Sequence, residues 1–204
     1  ILHPVTNGVN FYKVFKKIEE IIPEKFVYDI ESIFIGKIEE FSEKKINALY
    51  KDGSMYVTSE QDDENDLLDD LVHEIAHACE SSYQEEIYSD GRIRTEFISK
   101  IKKLHNEFQF LGYDIDLKDC LNFEFNENFD NFLYEVVGYP KLEIIIAGLF
   151  VSPYSPTSFR EYFATAFEEY FIGDSKILKK ISPEVFEKIY ELQTTEGEGV
   201  WSQK

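Results

Sequence analysis

The sequence contains a His-Glu-x-x-His pattern, formed by His73, Glu74 and His77. Four residues make about one helical turn, so on a helix both imidazoles project from one face and can bind the same zinc ion. Glu74 lies beside them, where a base could take a proton from a water molecule. The alternative is an exposed helix on which two histidines stand one turn apart. An apolar stripe from Leu68 to Cys79 on the opposite side favours the zinc site.

A catalytic zinc site needs a third protein ligand. The metzincin continuation of the pattern is absent, because Glu80 stands where that pattern has Gly and Tyr83 where it has His. His105 is a candidate, but it follows a lysine pair and is more typical of a solvated helix face. The search for the ligand therefore moves further along the chain.

Glu161 is the better candidate for the third ligand. It opens a predicted helix and shares one face of that helix with Ala164, Thr165 and Glu168. The two small residues would let this helix approach the His-Glu-x-x-His helix closely. A second interpretation competes, because Ser158 and Glu161 have the spacing of a capping box, in which the glutamate binds a backbone amide. The spacing alone leaves both interpretations open.

Two segments of the chain together resemble a known family. His-Glu-Ile-Ala-His at residues 73–77, followed far downstream by Arg-Glu-Tyr-Phe-Ala-Thr-Ala-Phe at 160–167, is similar to the lethal factor-like zinc metallopeptidases, a family that includes the Pro-Pro endopeptidases. The resemblance implies that His73, His77 and Glu161 bind Zn²⁺ and that Glu74 is the base. It also implies that Tyr154, seven residues before Glu161, donates a hydrogen bond to the developing oxyanion.

The chain departs from this family at two places. The acid that usually follows the third ligand by four residues is Thr165 here, which puts a supporting carboxylate in doubt. The separation of His77 from Glu161 is also wide, which predicts a helical insertion over residues 85–150.

The family usually has an edge strand before the zinc helix, along which an extended peptide lies. Residues 53–59 stand where that strand is expected, and an open strand edge can bind a peptide through backbone hydrogen bonds. The resemblance therefore implies that Met55, Tyr56, Val57 and Thr58 bind substrate.

Periodicity predicts the elements around these residues. Apolar residues at helical spacing indicate a helix over 9–22, alternation indicates a strand within 30–38, and Asp52-Gly53 indicates the turn of a β-hairpin. Further helices are expected at about 66–80, 91–110, 140–149 and 159–172 and after Ser182-Pro183, whereas 122–131 has no clear period. The tail from Thr194 is expected to fray, with Trp201 as its anchor. The prediction is an α+β, zincin-like domain spanning 1–204, with a small twisted sheet, the HExxH helix and a mainly helical C-terminal half.

Composition narrows the range of partners. The 204 residues carry 21 basic against 40 acidic side chains, a net charge of −19, which disfavours nucleic acid and anionic membrane surfaces. The most apolar run, Ile144 to Val151, is too short to cross a bilayer, and the first residues lack a signal-peptide pattern. The two cysteines do not indicate whether the protein works in an oxidising or a reducing compartment. The expected function is a zinc-dependent endopeptidase for protein or peptide substrates, including cationic ones, and the alternative is a non-catalytic binding or structural domain on the same fold.

Overall fold

The protein combines a small β-sheet with a larger set of helices. The computed structural model describes residues 8–38, 41, 46–121 and 123–195. The strands are Ser32–Gly36 (β1), Ala48–Lys51 (β2) and Ser54–Thr58 (β3). The predicted α+β class is confirmed at this level, because helices and strands occupy separate stretches of the chain.

Helices make up most of the described chain. They are Phe11–Ile21 (α1), Glu24–Val27 (α2), Glu64–Ser82 (α3), Gln84–Tyr88 (α4), Arg92–Phe110 (α5), Leu117–Cys120 (α6), Glu127–Asn131 (α7), Tyr139–Ile146 (α8), Phe159–Phe171 (α9), Ser175–Ile181 (α10) and Pro183–Thr194 (α11). A π-helical segment, Phe132–Val137, lies between α7 and α8. Among the described helices, none is both long enough and apolar enough to cross a membrane.

The predicted hairpin forms β2 and β3. Asp52 and Gly53 connect them with φ angles of 50° and 76°, the left-handed backbone that a two-residue hairpin turn requires. β3 pairs in parallel with β1 on one side and antiparallel with β2 on the other, so the strand order is β1-β3-β2. The expectation that β3 is the edge strand was therefore wrong. In the part of the chain that the structure describes, β1 and β2 are the edges of the sheet, and β2 is the strand that precedes the hairpin turn.

Helix α3 carries the His-Glu-x-x-His pattern and lies at the centre of the fold. The side chain of Asp63 caps it by accepting hydrogen bonds from the backbone N–H groups of Asn65 and Asp66. The buried face includes Leu71, Ile75 and Cys79, as the predicted stripe requires. The helix packs against α1, α2, β2 and α9. This packing brings the edge strand and the downstream helix to the same middle stretch of α3, at His73 and Glu74.

Helix α9 packs along α3 and is buried through its middle. The Ser158 side chain caps it by accepting a hydrogen bond from the N–H of Glu161, at an N–O distance of 3.2 Å. The residues from Tyr162 to Phe167 are all buried. This burial follows from the composition of residues 162–167, which are apolar apart from Thr165 and the hydroxyl of Tyr162.

The predicted helical insertion at 85–150 shares the core of the molecule. Its long helix α5 buries Ile93, Phe97 and Ile101 in the apolar cluster that also includes Val14 of α1 and Ile189 of α11. The stretch 122–131, which showed no period, contains a short helix, α7, and the π-helical segment follows it. Of the tail that was expected to fray, Thr194 is the last residue of α11, whereas residues 196–204, with Trp201, lie outside the described residues.

Candidate metal centre

Three side chains converge at the junction of α3 and α9. His73, His77 and Glu161 each offer one ligand atom, and these atoms lie within 4.8 Å of one another. Nε2 of His73 is 2.9 Å from Oε2 of Glu161, and Nε2 of His77 is 3.4 Å from Oε1 of the same carboxylate. The one-turn spacing on α3 places the two imidazole rings 4.8 Å apart between centroids. The structure thus brings together the three residues expected to bind metal.

The chemistry of this group fits zinc. Two imidazoles and one carboxylate form a donor set that catalytic zinc sites use. Oε2 of Glu161 is buried and accepts no hydrogen bond from the described residues, although Nε2 of His73 is 2.9 Å away. A buried carboxylate oxygen without a hydrogen bond is costly, and a cation held between the two groups would remove that cost.

The two interpretations of Glu161 are compatible in the structure. Its backbone N–H binds the cap residue Ser158, while its side chain extends towards His73 and His77. The rival candidate His105 lies on α5, where its Nε2 is 3.1 Å from the carbonyl oxygen of Ile115. His105 therefore takes no part in this cluster.

Glu74 lies between α3 and the edge strand. Its Oε2 accepts a hydrogen bond from the backbone N–H of Tyr50 in β2. The residue is only 5% exposed, and burial raises the pKa of its carboxyl even though the imidazoles of His77 and His73 oppose the rise. The base candidate therefore lies in the same cleft as the three ligands and is held by the strand that borders it.

Tyr154 comes from the loop before α9, and its ring centroid is 6.1 Å from that of His73. Burial and the neighbouring Glu161 carboxylate hold the pKa of its phenol well above the usual range. The hydroxyl therefore stays protonated at neutral pH and remains a hydrogen-bond donor. The structure places it in the same cleft as His73, His77 and Glu161.

The two imidazoles and the carboxylates near them shift one another's pKa values. Burial alone would lower the pKa values of His73 and His77, but the nearby carboxylates outweigh burial and raise both. Burial would raise the pKa of Glu161, yet the two imidazoles hold it well below its ordinary value. The two imidazoles and the Glu161 carboxylate therefore each favour the charged form of the other.

Two carboxylates contact the far nitrogens of the imidazoles. Glu168 of α9 lies against Nδ1 of His73, and Oε2 of Glu80 is 3.5 Å from Nδ1 of His77. The sequence pattern placed Glu168 on the face of Glu161 without giving it this role. Glu80 could have been found from its position three residues after His77, which is a neighbouring position on a helix.

The three candidate ligands, together with Glu74, Tyr154 and Glu168, line a cleft of about 450 Å³. Its acidic wall includes Asp69 and Asp70 of α3, and burial raises the pKa of Asp70 to about 6. Its opposite wall is the strand segment from Ile46 to Tyr50. The cleft is therefore a groove between the α3–α9 pair and the edge of the sheet.

The expected substrate residues do not line this cleft. Met55 and Val57 are fully buried in the core, and the ring of Tyr56 stacks on that of Phe34 on the other face of the sheet. Their backbone groups, with those of Thr58, belong to a strand that is paired on both sides. The cause is strand order, which placed β3 rather than β2 at the centre.

The exposed backbone of β2 faces the cleft instead. A two-residue turn makes Lys51 and Ser54 a hydrogen-bonded pair, so the backbone groups of Tyr50 and Ala48 point away from β3. The bond from the Tyr50 N–H to Glu74 agrees with this register. Since the Tyr50 N–H is bonded to Glu74, the backbone groups that could bind an extended ligand are the N–H and carbonyl of Ala48 and the carbonyl of Tyr50.

Comparisons with protein-family models, with curated proteins and with solved structures found no match.

Proposed function

We propose that this protein is a zinc-dependent endopeptidase with a zincin-like fold, related to the lethal factor-like metallopeptidases, and that the described helices and sheet form one catalytic domain. The observation that carries the proposal is the convergence of His73, His77 and Glu161 in a cleft that also contains Glu74 and Tyr154. A purely structural zinc site needs neither an adjacent base nor a phenol and closes its fourth position with protein.

Each side chain has a defined task in this proposal. His73, His77 and Glu161 hold the metal, which when bound supplies Lewis-acid chemistry that makes water a better nucleophile and polarises the scissile carbonyl. Glu74 takes the proton of the attacking water and then gives it to the leaving amine. Tyr154 donates its hydroxyl hydrogen to the oxygen on which negative charge develops.

The substrate is expected to lie along β2. An extended peptide can pair with the outward N–H and carbonyl of Ala48 and the carbonyl of Tyr50 and so cross the cleft beside Glu74, which holds the Tyr50 N–H. The opposite wall carries Asp69 and Asp70, and the chain has a net charge of −19. Complementary charge speeds encounter, so cationic peptides are the favoured substrates.

Zinc content and cleavage of a peptide library of mixed charge test this function. Glu74→Ala should keep zinc but lose cleavage by a factor of about 10² to 10⁴, because the base is removed and the ligands stay. Glu161→Ala should lose zinc affinity as well as cleavage. Glu107→Ala, at an exposed position of α5, is the matched control and should behave as wild type.

The result separates the proposal from its alternatives. A wild-type protein that binds no zinc would contradict the proposal at its first step. Zinc binding without cleavage of any peptide would favour a non-catalytic binding domain. Full zinc affinity in Glu161→Ala would remove Glu161 from the ligand set and leave its backbone in the cap.

A further inference from the structure

We propose that Glu168 and Glu80 are positioning residues, which hold His73 and His77 with their Nε2 atoms directed at the metal. This inference rests on the proposed zinc site. A metal-binding imidazole commonly donates its other ring N–H to a carboxylate, which fixes the tautomer and the orientation of the ring. Oε1 of Glu168 contacts Nδ1 of His73, and Oε2 of Glu80 lies 3.5 Å from Nδ1 of His77, a nitrogen that Nη2 of Arg160 also approaches to 3.4 Å.

Helix α9 supplies carboxylates to both nitrogens of His73. Oε2 of Glu161 lies 2.9 Å from Nε2, and Oε1 of Glu168, two turns further along the helix, contacts Nδ1. A carboxylate at Nδ1 keeps the hydrogen on that nitrogen, so the lone pair at Nε2 is free to bind metal. Helix α9 thereby supplies one candidate ligand, Glu161, and also the carboxylate that orients a second one, His73.

Glu80 reaches His77 within α3, because positions three residues apart are neighbours on a helix. The carboxylate is itself held from two sides. Nε of Arg160 donates to its Oε2 at 2.8 Å, and the hydroxyl of Tyr88 donates to its Oε1 at 2.6 Å. With Glu80 only 6% exposed, these bonds leave its Oε2 little freedom to leave Nδ1 of His77.

Thr165 explains why the supporting carboxylate lies elsewhere on α9. It stands four residues after Glu161, where related enzymes are expected to carry an acid. Its Oγ1 donates to the carbonyl oxygen of Glu161 at 2.7 Å and lies 2.8 Å from Oγ of Ser155. Because Thr165 is buried and bonded to the loop, the contact with His73 falls to Glu168.

Zinc affinity measured by competition with a fluorescent chelator tests this inference. Glu168→Gln and Glu80→Gln should each weaken zinc binding by about 10 to 100-fold, the usual effect of losing such a partner. Glu168→Asp, which keeps the charge, should recover part of the loss. Glu169→Gln, on the same helix, is the matched control, since a glutamine oxygen can still accept the N–H of Asp174.

Two further measurements separate positioning from a structural role. The visible absorption of the cobalt-substituted protein should change in Glu168→Gln and Glu80→Gln, because the geometry around the metal changes. The rise in the unfolding midpoint that zinc causes should be smaller in Glu168→Gln than in the wild type, whatever the metal-free midpoint of the variant, to which the contact between Glu168 and His73 also contributes. This variant keeps the test decisive even if Glu80→Gln fails to fold, because Arg160 would lose its partner.

The possible failures are distinguishable. Wild-type zinc affinity and cobalt spectrum in both glutamine variants would overturn the inference and leave the zinc peptidase proposal standing. A lower metal-free stability with unchanged zinc affinity would assign the carboxylates to the fold alone. A wild-type protein that binds no zinc would overturn the proposed function and this inference together.

Discussion

At the residue scale, the Tyr154 hydroxyl can be tested without disturbing the ligands. Tyr154→Phe removes one oxygen from a side chain whose ring lies beside His73. Loss of one donor to a developing oxyanion costs about 10² to 10³ in kcat. We expect that loss for peptide cleavage, with KM and zinc content close to the wild-type values.

The matched control is Tyr12→Phe, because Tyr12 lies on α1 and is exposed. It should leave kcat unchanged. A Tyr154→Phe enzyme with wild-type kcat would place the phenol outside the reaction, as an ordinary half-buried loop residue. A loss of zinc in the same variant would instead give Tyr154 a role in holding the cluster.

The sequence predicted which side chains form the candidate metal centre better than which carboxylates lie beside them. His73 and His77 follow from a local spacing, because one helical turn fixes their relation. Glu161 could not be separated from a cap by spacing, since the cap uses its backbone N–H and leaves the carboxylate free. The contact of Glu168 with His73 joins two helices that are remote in sequence, so only their packing reveals it.

At the element scale, the hairpin turn positions the strand that holds Glu74. Gly53 has φ of 76°, a region where a side chain is strained. Gly53→Ala should lower the free energy of unfolding by about 1 to 2 kcal/mol, the cost of a left-handed conformation for a residue with a Cβ. The nearest atoms to the added Cβ are 3.5 Å away, so backbone strain and not a clash is the cause.

Urea unfolding of the metal-free protein measures this change. Asp52→Asn is the control, because Asn tolerates the left-handed region at least as well as Asp. It should leave stability within about 0.5 kcal/mol of wild type. Equal stability of Gly53→Ala and wild type would show that the turn relaxes to another form without cost.

A second prediction concerns the ion pairs between the start of α5 and helix α11. Nζ of Lys188 lies 2.7 Å from Oδ2 of Asp90, and the Lys188 side chain is only 7% exposed. This lysine and Arg92 hold the pKa of Asp90 well below its usual value. Asp90→Asn should therefore lower the free energy of unfolding at about pH 7 by about 1 kcal/mol, a figure reduced for solvent screening.

The pH dependence of this effect has a definite sign. A carboxyl whose pKa is lower in the folded state stabilises the protein above the unfolded pKa, 3.8 here, and loses that contribution as the pH falls through the folded pKa. The difference between wild type and Asp90→Asn should thus narrow below about pH 4. Asp114→Asn, at an exposed position, is the control in urea titrations. A difference that is constant across this range would contradict the electrostatic cause.

Helices in which apolar residues recur at helical spacing were predicted well. Features that depend on packing between distant segments were not. The stripes of α1, α3, α5 and α9 follow from apolar spacing. The segment Phe132–Val137 is π-helical, and π-helices are rare enough that the α-helical period does not reveal them. The place of β3 in the sheet depends on its parallel pairing with β1, which no local pattern records. The expectation that β3 is an edge strand was wrong for that reason.

At the scale of the whole molecule, the candidate metal centre joins parts of the chain that are distant in sequence. His73 and His77 come from α3, whereas Glu161 comes from α9, beyond the helices at 84–146. Both helices contribute to the same apolar core, which fixes their relative position before any metal binds. A metal bound to all three side chains would therefore act as a cross-link between two packed helices.

This arrangement predicts that zinc stabilises the whole fold. A ligand that binds only the folded state at about 100 times its Kd adds about 2.7 kcal/mol. For a domain of this size, 1 kcal/mol raises Tm by about 2 to 4 °C, so zinc should raise Tm by about 5 to 10 °C and a chelator should reverse the rise. Glu161→Ala should abolish the shift because it breaks the cross-link, whereas Glu74→Ala should retain it. A zinc-induced shift of the same size in Glu161→Ala would mean that α9 does not contribute a ligand and that the metal binds to α3 alone.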